Sequence, residues 1–452
     1  MSPNLFLIVI FQLFLTIKKS ISIIIPIKTY FPPYNNSEMV SYWLSRKFYS
    51  KIEIGSPVQN VLLYLSLQEN SFYLDKLEKN DKIDEINSHY NYNQSTTCEL
   101  LTPFDKYYGK FRKKGAFISE VFYFLDKIDE PKKQYKNISF FLSSKDDKDL
   151  YFTIGLGLQK KLSEKGFIEI LKDKNYIKSY DWFLNYKNNN EILLIIGQKQ
   201  HEYYPQYFSE NQILSMNSYC SSTFLKWGIL FNKIFINEKS FSDLLDSEIN
   251  FNYGAIIIPS DYWDYILKIY FNEYIKLNLC SVEMNSDKMR YFYCSQNNFG
   301  RNDINKAPIL KFYSVQFKYT FEIKGEDLFE LKNDKYIFLL FSQTFTFSWI
   351  LGKPFFKKYP FLYNTEARTI SFYNPNIPYQ NTEIDKNIEK KINQNYILVI
   401  LLLVLIFIFI VFLFIFLFSK SHKQRKIRSN EIEEEFIYKP HYIIGTNNII
   451  IN

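Results

Sequence analysis

The chain has 452 residues, 47% of them apolar and 19% aromatic, which is ample for a buried core and too apolar for a disordered polymer. Its 55 Lys and Arg against 47 Asp and Glu leave a net charge of +8, too dilute over this length to mark a nucleic-acid-binding surface. Four cysteines without a C-x-x-C pair exclude a disulfide-built scaffold and a zinc ribbon, and no cofactor or metal is expected.

Leu5 to Ile17 is an apolar run of secretory h-region length, too short to cross a bilayer comfortably. Its flanks are unusual: no Lys or Arg precedes it, and Lys18 and Lys19 follow. A signal peptide over 1–22 is the first reading, with an uncleaved N-terminal anchor as the alternative. Residues 23–40 are then expected to be a pro-stub or linker.

From 41 to 375 the pattern is one of short β-branched or aromatic runs broken by Gly, Asn, Asp and Pro. Phe48 to Ile54, Val61 to Leu65, Phe117 to Phe124, Ile192 to Ile196, Phe231 to Ile236, Ile309 to Phe312 and Thr369 to Tyr373 read as strands. Helical stretches are few: Phe167 to Lys172, Trp263 to Phe271 and Phe355 to Lys358. The absence of a 20- to 50-residue repeat argues against a solenoid or propeller. An all-β fold with few short helices is expected, larger than a single sandwich.

Residues 376–395 are polar and aperiodic and read as a stalk. Tyr396 to Phe418 is uninterrupted apolar sequence, long enough to span a hydrocarbon core as a helix. Lys420, Lys423, Arg425, Lys426 and Arg428 follow at once, so the positive-inside rule puts the tail, 419–452, in the cytosol. The expected topology is single-pass type I, with 23–395 at the cell surface or in a secretory or endolysosomal (vacuolar) lumen. Disulfides are permitted there, and Asn35, Asn93 and Asn137 begin N-x-S sequons that could carry glycans.

The order of segments resembles the pepsin-like aspartic endopeptidases (peptidase A1). Tyr49-Ser-Lys-Ile-Glu-Ile-Gly55-Ser-Pro57-Val-Gln59 is similar to the family's opening hairpin. Tyr108-Gly109, with Gly115 six residues later, is similar to its flap. Leu156-Gly157-Leu158 resembles the I-L-G-L element, and Trp349-Ile-Leu-Gly352-Lys-Pro-Phe355 the W-I-L-G-x-x-F segment. The resemblance implies a bilobal fold, with lobes at 41–200 and 201–375 and a cleft between them. It also implies a disulfide between Cys280 and Cys294, worth about 3 kcal/mol on a chain-entropy estimate. Cys98 and Cys220 match no family bridge.

Family catalysis needs one Asp from each lobe, sharing a proton and activating water. Counting eleven residues from Gly55 puts the first at Ser66, in Ser66-Leu67-Gln68-Glu69. Counting back from Pro259 puts the second at Asn250, in Asn250-Phe251-Asn252-Tyr253. A competing register puts Ile258 there. None of these residues can act as a carboxylate. Glu69 has the opposite strand parity to Ser66 and is expected to point away, and Asp246, Glu248 and Asp261 read as solvated loop acids. His89, His201, His422 and His441 lack a nucleophile motif and read as surface residues. The flap tip, Lys110-Phe-Arg-Lys-Lys114, is basic and could attract an acidic ligand.

The expectation is therefore an inert protease homologue that keeps its cleft for a peptide or protein ligand. One alternative is an active aspartic endopeptidase using an unconventional carboxylate such as Glu69. The other is a surface structural or adhesion protein.

Overall fold

The computed structural model describes residues 22–30, 47–67, 70–76, 88, 90–108, 113–143, 150–158, 165–188, 191–218, 226–284, 288–343, 348–379 and 403–412. The chain divides into two units, Met1–Tyr379 and Gln380–Asn452. The first is mostly β, as its alternating runs require.

In its first half the strands are β1 (Ile23–Tyr30), β2 (Lys47–Ile54), β3 (Gln59–Ser66), β4 (Phe72–Lys76), β5 (Glu99–Leu100), β6 (Lys106–Tyr108), β7 (Lys113–Phe124), β8 (Lys133–Leu142), β9 (Leu150–Gly155), β10 (Asp181–Tyr186) and β11 (Glu191–Ile196). In the second they are β12 (Ile213–Asn217), β13 (Gly228–Ile236), β14 (Lys239–Ile249), β15 (Ile256–Ile258), β16 (Cys280–Met284), β17 (Met289–Ser295), β18 (Leu310–Ser314), β19 (Tyr319–Ile323), β20 (Phe329–Lys332), β21 (Lys335–Gln343), β22 (Trp349–Leu351), β23 (Phe361–Asn364) and β24 (Thr369–Tyr373).

Among the described residues these strands make two sheets. One has fourteen strands, ordered β12-β24-β23-β10-β11-β1-β2-β3-β9-β4-β8-β7-β5 with β6 on β7. The other has ten, ordered β16-β17-β21-β15-β22-β14-β13-β18-β19 with β20 on β21. The sheet boundary does not follow the expected lobe boundary. Strands β12, β23 and β24, from the stretch assigned to the second lobe, extend the first sheet through the β10–β23 pairing.

Of the stretch expected to be a pro-stub or linker, 23–40, residues Ile23–Tyr30 form strand β1 and 31–40 lie outside the described residues. Strand β1 pairs with β11 from Ile23 to Lys28 and with β2 from Lys28 to Tyr30, and Ile23, Ile24, Ile25 and Ile27 are buried. The alternation Ile25-Pro26-Ile27-Lys28 buries one face and exposes the other, as a strand on a core does. The main apolar core runs through both halves, from Ile23 to Phe372.

The short helices fall where the apolar spacing puts them. Phe167–Asp173 buries Phe167, Ile168, Ile170 and Leu171. The expected Trp263 to Phe271 helix starts earlier, at Ser260, and continues with a wider turn through Leu267–Phe271 to Lys276. Of the segment expected to span a bilayer, 403–412 is helical and the remainder lies outside the described residues. Among the described residues no helix is long and apolar enough to cross a membrane.

Candidate functional site

The site is built from one strand arrangement used twice. In the first half β3 leaves the sheet at Ser66 and returns as β4, and β9 fills the gap between them. It lies parallel to β3 (Leu65 opposite Ile154, Ser66 opposite Gly155) and antiparallel to β4 (Phe72 opposite Ile154). In the second half β14 ends at Ile249, the chain returns as β15, and β22 fills the gap. There Ile249 stands opposite Leu351 in the parallel pairing, and Ile257 opposite Ile350 in the antiparallel one.

These registers overlay without a gap. Ile154 matches Leu351, Leu65 matches Ile249, and Phe72 matches Ile256. The outer strands agree: β8 runs parallel to β4 with Phe141 opposite Tyr73, and β21 runs parallel to β15 with Phe341 opposite Ile257. Ser66 and Asn250 therefore hold the same place in the two copies. The alternative residue, Ile258, lies within β15 opposite Ser342 and not in the loop. One motif assignment shifts by two residues: Gly155, not Gly157, stands opposite Ser66 as Gly352 does beyond Leu351.

The second loop is held by its own backbone. Asn250 N–H donates to Leu351 O at 2.9 Å, its Oδ1 accepts from Asn252 N–H at 3.1 Å, and its carbonyl accepts from Tyr253 N–H at 3.2 Å. Asn250 is 5% exposed, so these bonds replace lost hydration. Gly352 is required by close approach, because a Cβ there would lie 2.0 Å from Ala255 O. In the first loop Leu156 N–H donates to Ser66 O at 2.7 Å and Gly155 N–H to Ser71 O at 2.8 Å. The residues next along, Leu67 and Phe251, are buried in the main core. Phe251 packs edge-on against Trp182, Phe356 and Tyr363.

One side chain joins the two loops. Trp227 Nε1–H donates to Leu156 O at 2.6 Å, and Trp227 O accepts from Ile249 N–H at 2.9 Å. Sequence gave no hint of this, since Trp227 and Leu156 are 71 residues apart and belong to no shared motif.

Of the acids expected in loops near Asn250, Asp246 and Glu248 lie instead within β14. Glu248 shares the strand face of Asn250 but is ion-paired with Lys226 at 2.6 Å. Burial raises the Asp246 carboxyl above its ordinary value, and burial, then the Glu248 charge, raises the Tyr253 hydroxyl. Asp261 is exposed. Gln68 and Glu69 lie outside the described residues. Among the described residues no group of three or more His, Cys, Asp or Glu is placed to hold a metal ion.

Tyr108 sits on the β6–β7 hairpin and is buried. Its hydroxyl accepts from Phe72 N–H at 3.2 Å and donates to Lys165 O at 3.3 Å, while its ring stacks on Phe141 at 5.1 Å. Lys113, opposite Tyr108, pairs with Asp75 and lies 4.8 Å from the Tyr73 ring centre, so the hairpin base is fastened to β4. Gly109 and the tip at 110–112 lie outside the described residues.

The other expected positions are quickly placed. Cys280 and Cys294 face one another across β16 and β17 and form a disulfide. Cys98 is a free thiol, and Cys220 lies outside the described residues. Asn93 and Asn137 are exposed, Asn137 in the left-handed backbone region that Asn tolerates. Asn35 and His89 lie outside the described residues. His201 is not simply a surface residue: it is half-buried, with Nδ1 2.7 Å from the Tyr373 hydroxyl.

No protein-family model and no curated protein matches the sequence. Among solved structures the chain is similar to conglutin gamma, described as a unique basic 7S globulin from lupine seeds. The TM-score is 0.54 at 10% identity, over 78% of this chain and 95% of conglutin gamma. At that identity the likeness establishes the β-rich fold alone.

Proposed function

We propose that the protein is a catalytically inert, pepsin-like homologue that uses the region around Ser66 and Asn250 to bind a peptide or protein ligand. One observation carries the reading. Two loops matched strand for strand carry Ser66 and Asn250 at equivalent positions, the ones to which the family resemblance assigns its two acids, and each offers a neutral group there. Neither group ionises in the range where such a pair works, so neither can be the base. Leu67 and Phe251 take the neighbouring positions with buried apolar side chains.

The apolar 396–418 run and the basic block after it support anchoring as a single-pass type I membrane protein, with the β unit in a lumen or outside the cell. The disulfide and the exposed Asn93 and Asn137 suit that compartment.

The test is incubation of the purified full-length chain with a diverse peptide pool from pH 2 to 7. Saturable binding without cleavage is expected. Pepstatin-sensitive cleavage would overturn inertness, and failure to bind any peptide would leave a structural or adhesive role as the better account.

A further inference from the structure

Away from the paired loops, a hollow of about 270 Å³ opens beside β10, lined chiefly by Phe183, Asn185, Gln200, Tyr204, Tyr207 and Phe208. None of these residues carries a formal charge at neutral pH. Four are aromatic, and Tyr207 is 70% exposed at the rim. The scale suits a ligand of one or two rings, since hollows for drug-sized molecules begin at roughly 300 Å³.

Gln200 is the unusual member. It is 1% exposed, yet among the described residues neither Oε1 nor Nε2 has a hydrogen-bond partner. Its main-chain carbonyl accepts from Tyr204 N–H at 2.7 Å. Asn185 Nδ2–H donates to the Tyr204 hydroxyl, which ties together two of the residues that line the hollow. A buried carboxamide with both ends unpaired is costly, and a ligand that supplies both partners recovers that cost on binding.

A carboxamide presents its donor and acceptor side by side. A trans peptide group cannot answer both, because its N–H and C=O point in opposite directions. A primary carboxamide or a lactam can. The aromatic walls favour a flat apolar body, and the absence of a lining charge disfavours an ion.

We propose that this hollow binds a neutral, flat small molecule whose primary carboxamide or lactam edge pairs with the side chain of Gln200. Benzamide is the probe, with methyl benzoate (acceptor only) and benzoate (charged) as comparators. Binding to the purified full-length chain is measured by ligand-observed NMR titration. Benzamide should bind at least about tenfold more tightly than methyl benzoate.

Gln200→Leu should erase that preference while the ligand-free variant melts no lower than the wild type, since a buried unpaired amide has been removed. Gln200→Met makes the same test should the branched side chain prevent folding. No benzamide binding, equal affinity for benzamide and methyl benzoate, or a preference that survives in either variant would each overturn the proposal.

Discussion

The Trp227 indole donates a 2.6 Å hydrogen bond to the Leu156 carbonyl, and through it the loops of Ser66 and Asn250 are tied together. Leu156 N–H donates to Ser66 O, and Trp227 O accepts from Ile249, the residue before Asn250. The path is short and buried, so losing one donor leaves a carbonyl without a partner. Trp227→Phe should destabilise the protein by about 1–3 kcal/mol beyond the loss of ring volume, read from denaturant unfolding. Trp349→Phe is the control, because the Trp349 Nε1 is buried without a partner among the described residues. A Trp227 loss no larger than the Trp349 loss would mean the link contributes nothing.

Glu169 couples helix Phe167–Asp173 to the segment that follows Ser66. Its Oε1 accepts from Asn70 Nδ2–H at 3.1 Å, while Glu169 Oε2 and Asn70 Oδ1 are buried without partners among the described residues. Burial raises the Glu169 carboxyl above its ordinary value of 4.5, outweighing the bonds from its own backbone, Asn70 and Gly166 that lower it. The folded state therefore holds the proton more tightly than the unfolded chain does. The contribution to stability is full below about pH 4.5 and is lost as pH rises through the folded-state value. Glu169→Gln can donate to Asn70 Oδ1 and should raise the melting temperature at pH 7 while leaving it unchanged near pH 3.5. An equal gain at both pH values would rule out titration of this carboxyl as the cause.

Cys280 and Cys294 close a loop with a sequence separation of 14 at one edge of the ten-stranded sheet. Chain entropy assigns such a loop about 3 kcal/mol. Replacing both cysteines with Ser should lower unfolding stability by about that amount without changing how the protein behaves toward peptides. A loss below 1 kcal/mol would indicate that the β16–β17 pairing already restricts the unfolded chain.

Much of this architecture is legible in the alternation of side chains. Thr369–Tyr373 follows directly from it and Glu191–Ile196 begins one residue before the expected Ile192, whereas the hairpin around Gly55 and the Trp349-Ile-Leu-Gly run are marked by the family resemblance. Strand β1 is not legible, because Pro26 interrupts an apolar run that also adjoins a targeting-like segment. Proline lacks the ladder donor and ordinarily argues against a strand paired on both sides. The choice between Gly155 and Gly157 is equally hidden: each follows an apolar residue, and only the β3–β9 register distinguishes them. Sheet membership of β12, β23 and β24 depends on pairings across more than a hundred residues, which local pattern does not encode.

That register makes the last prediction sharper than residue identity alone. Restoring acids through Ser66→Asp with Asn250→Asp would set two carboxyls at equivalent places, with the second able to accept the Asn252 N–H that Asn250 accepts now. Leu67 and Phe251 would still offer buried hydrocarbon where supporting hydroxyls are needed, and the aromatic packing of Phe251 against Trp182 and Tyr363 resists rearrangement. General acid–base groups are worth roughly 10²–10⁴-fold each only when held in geometry. The double variant should therefore cleave peptides at less than about a hundredth of the rate that a well-positioned pair supports, across pH 2 to 7. Rapid, pepstatin-sensitive turnover from it would show that the two missing acids were the whole of the deficit.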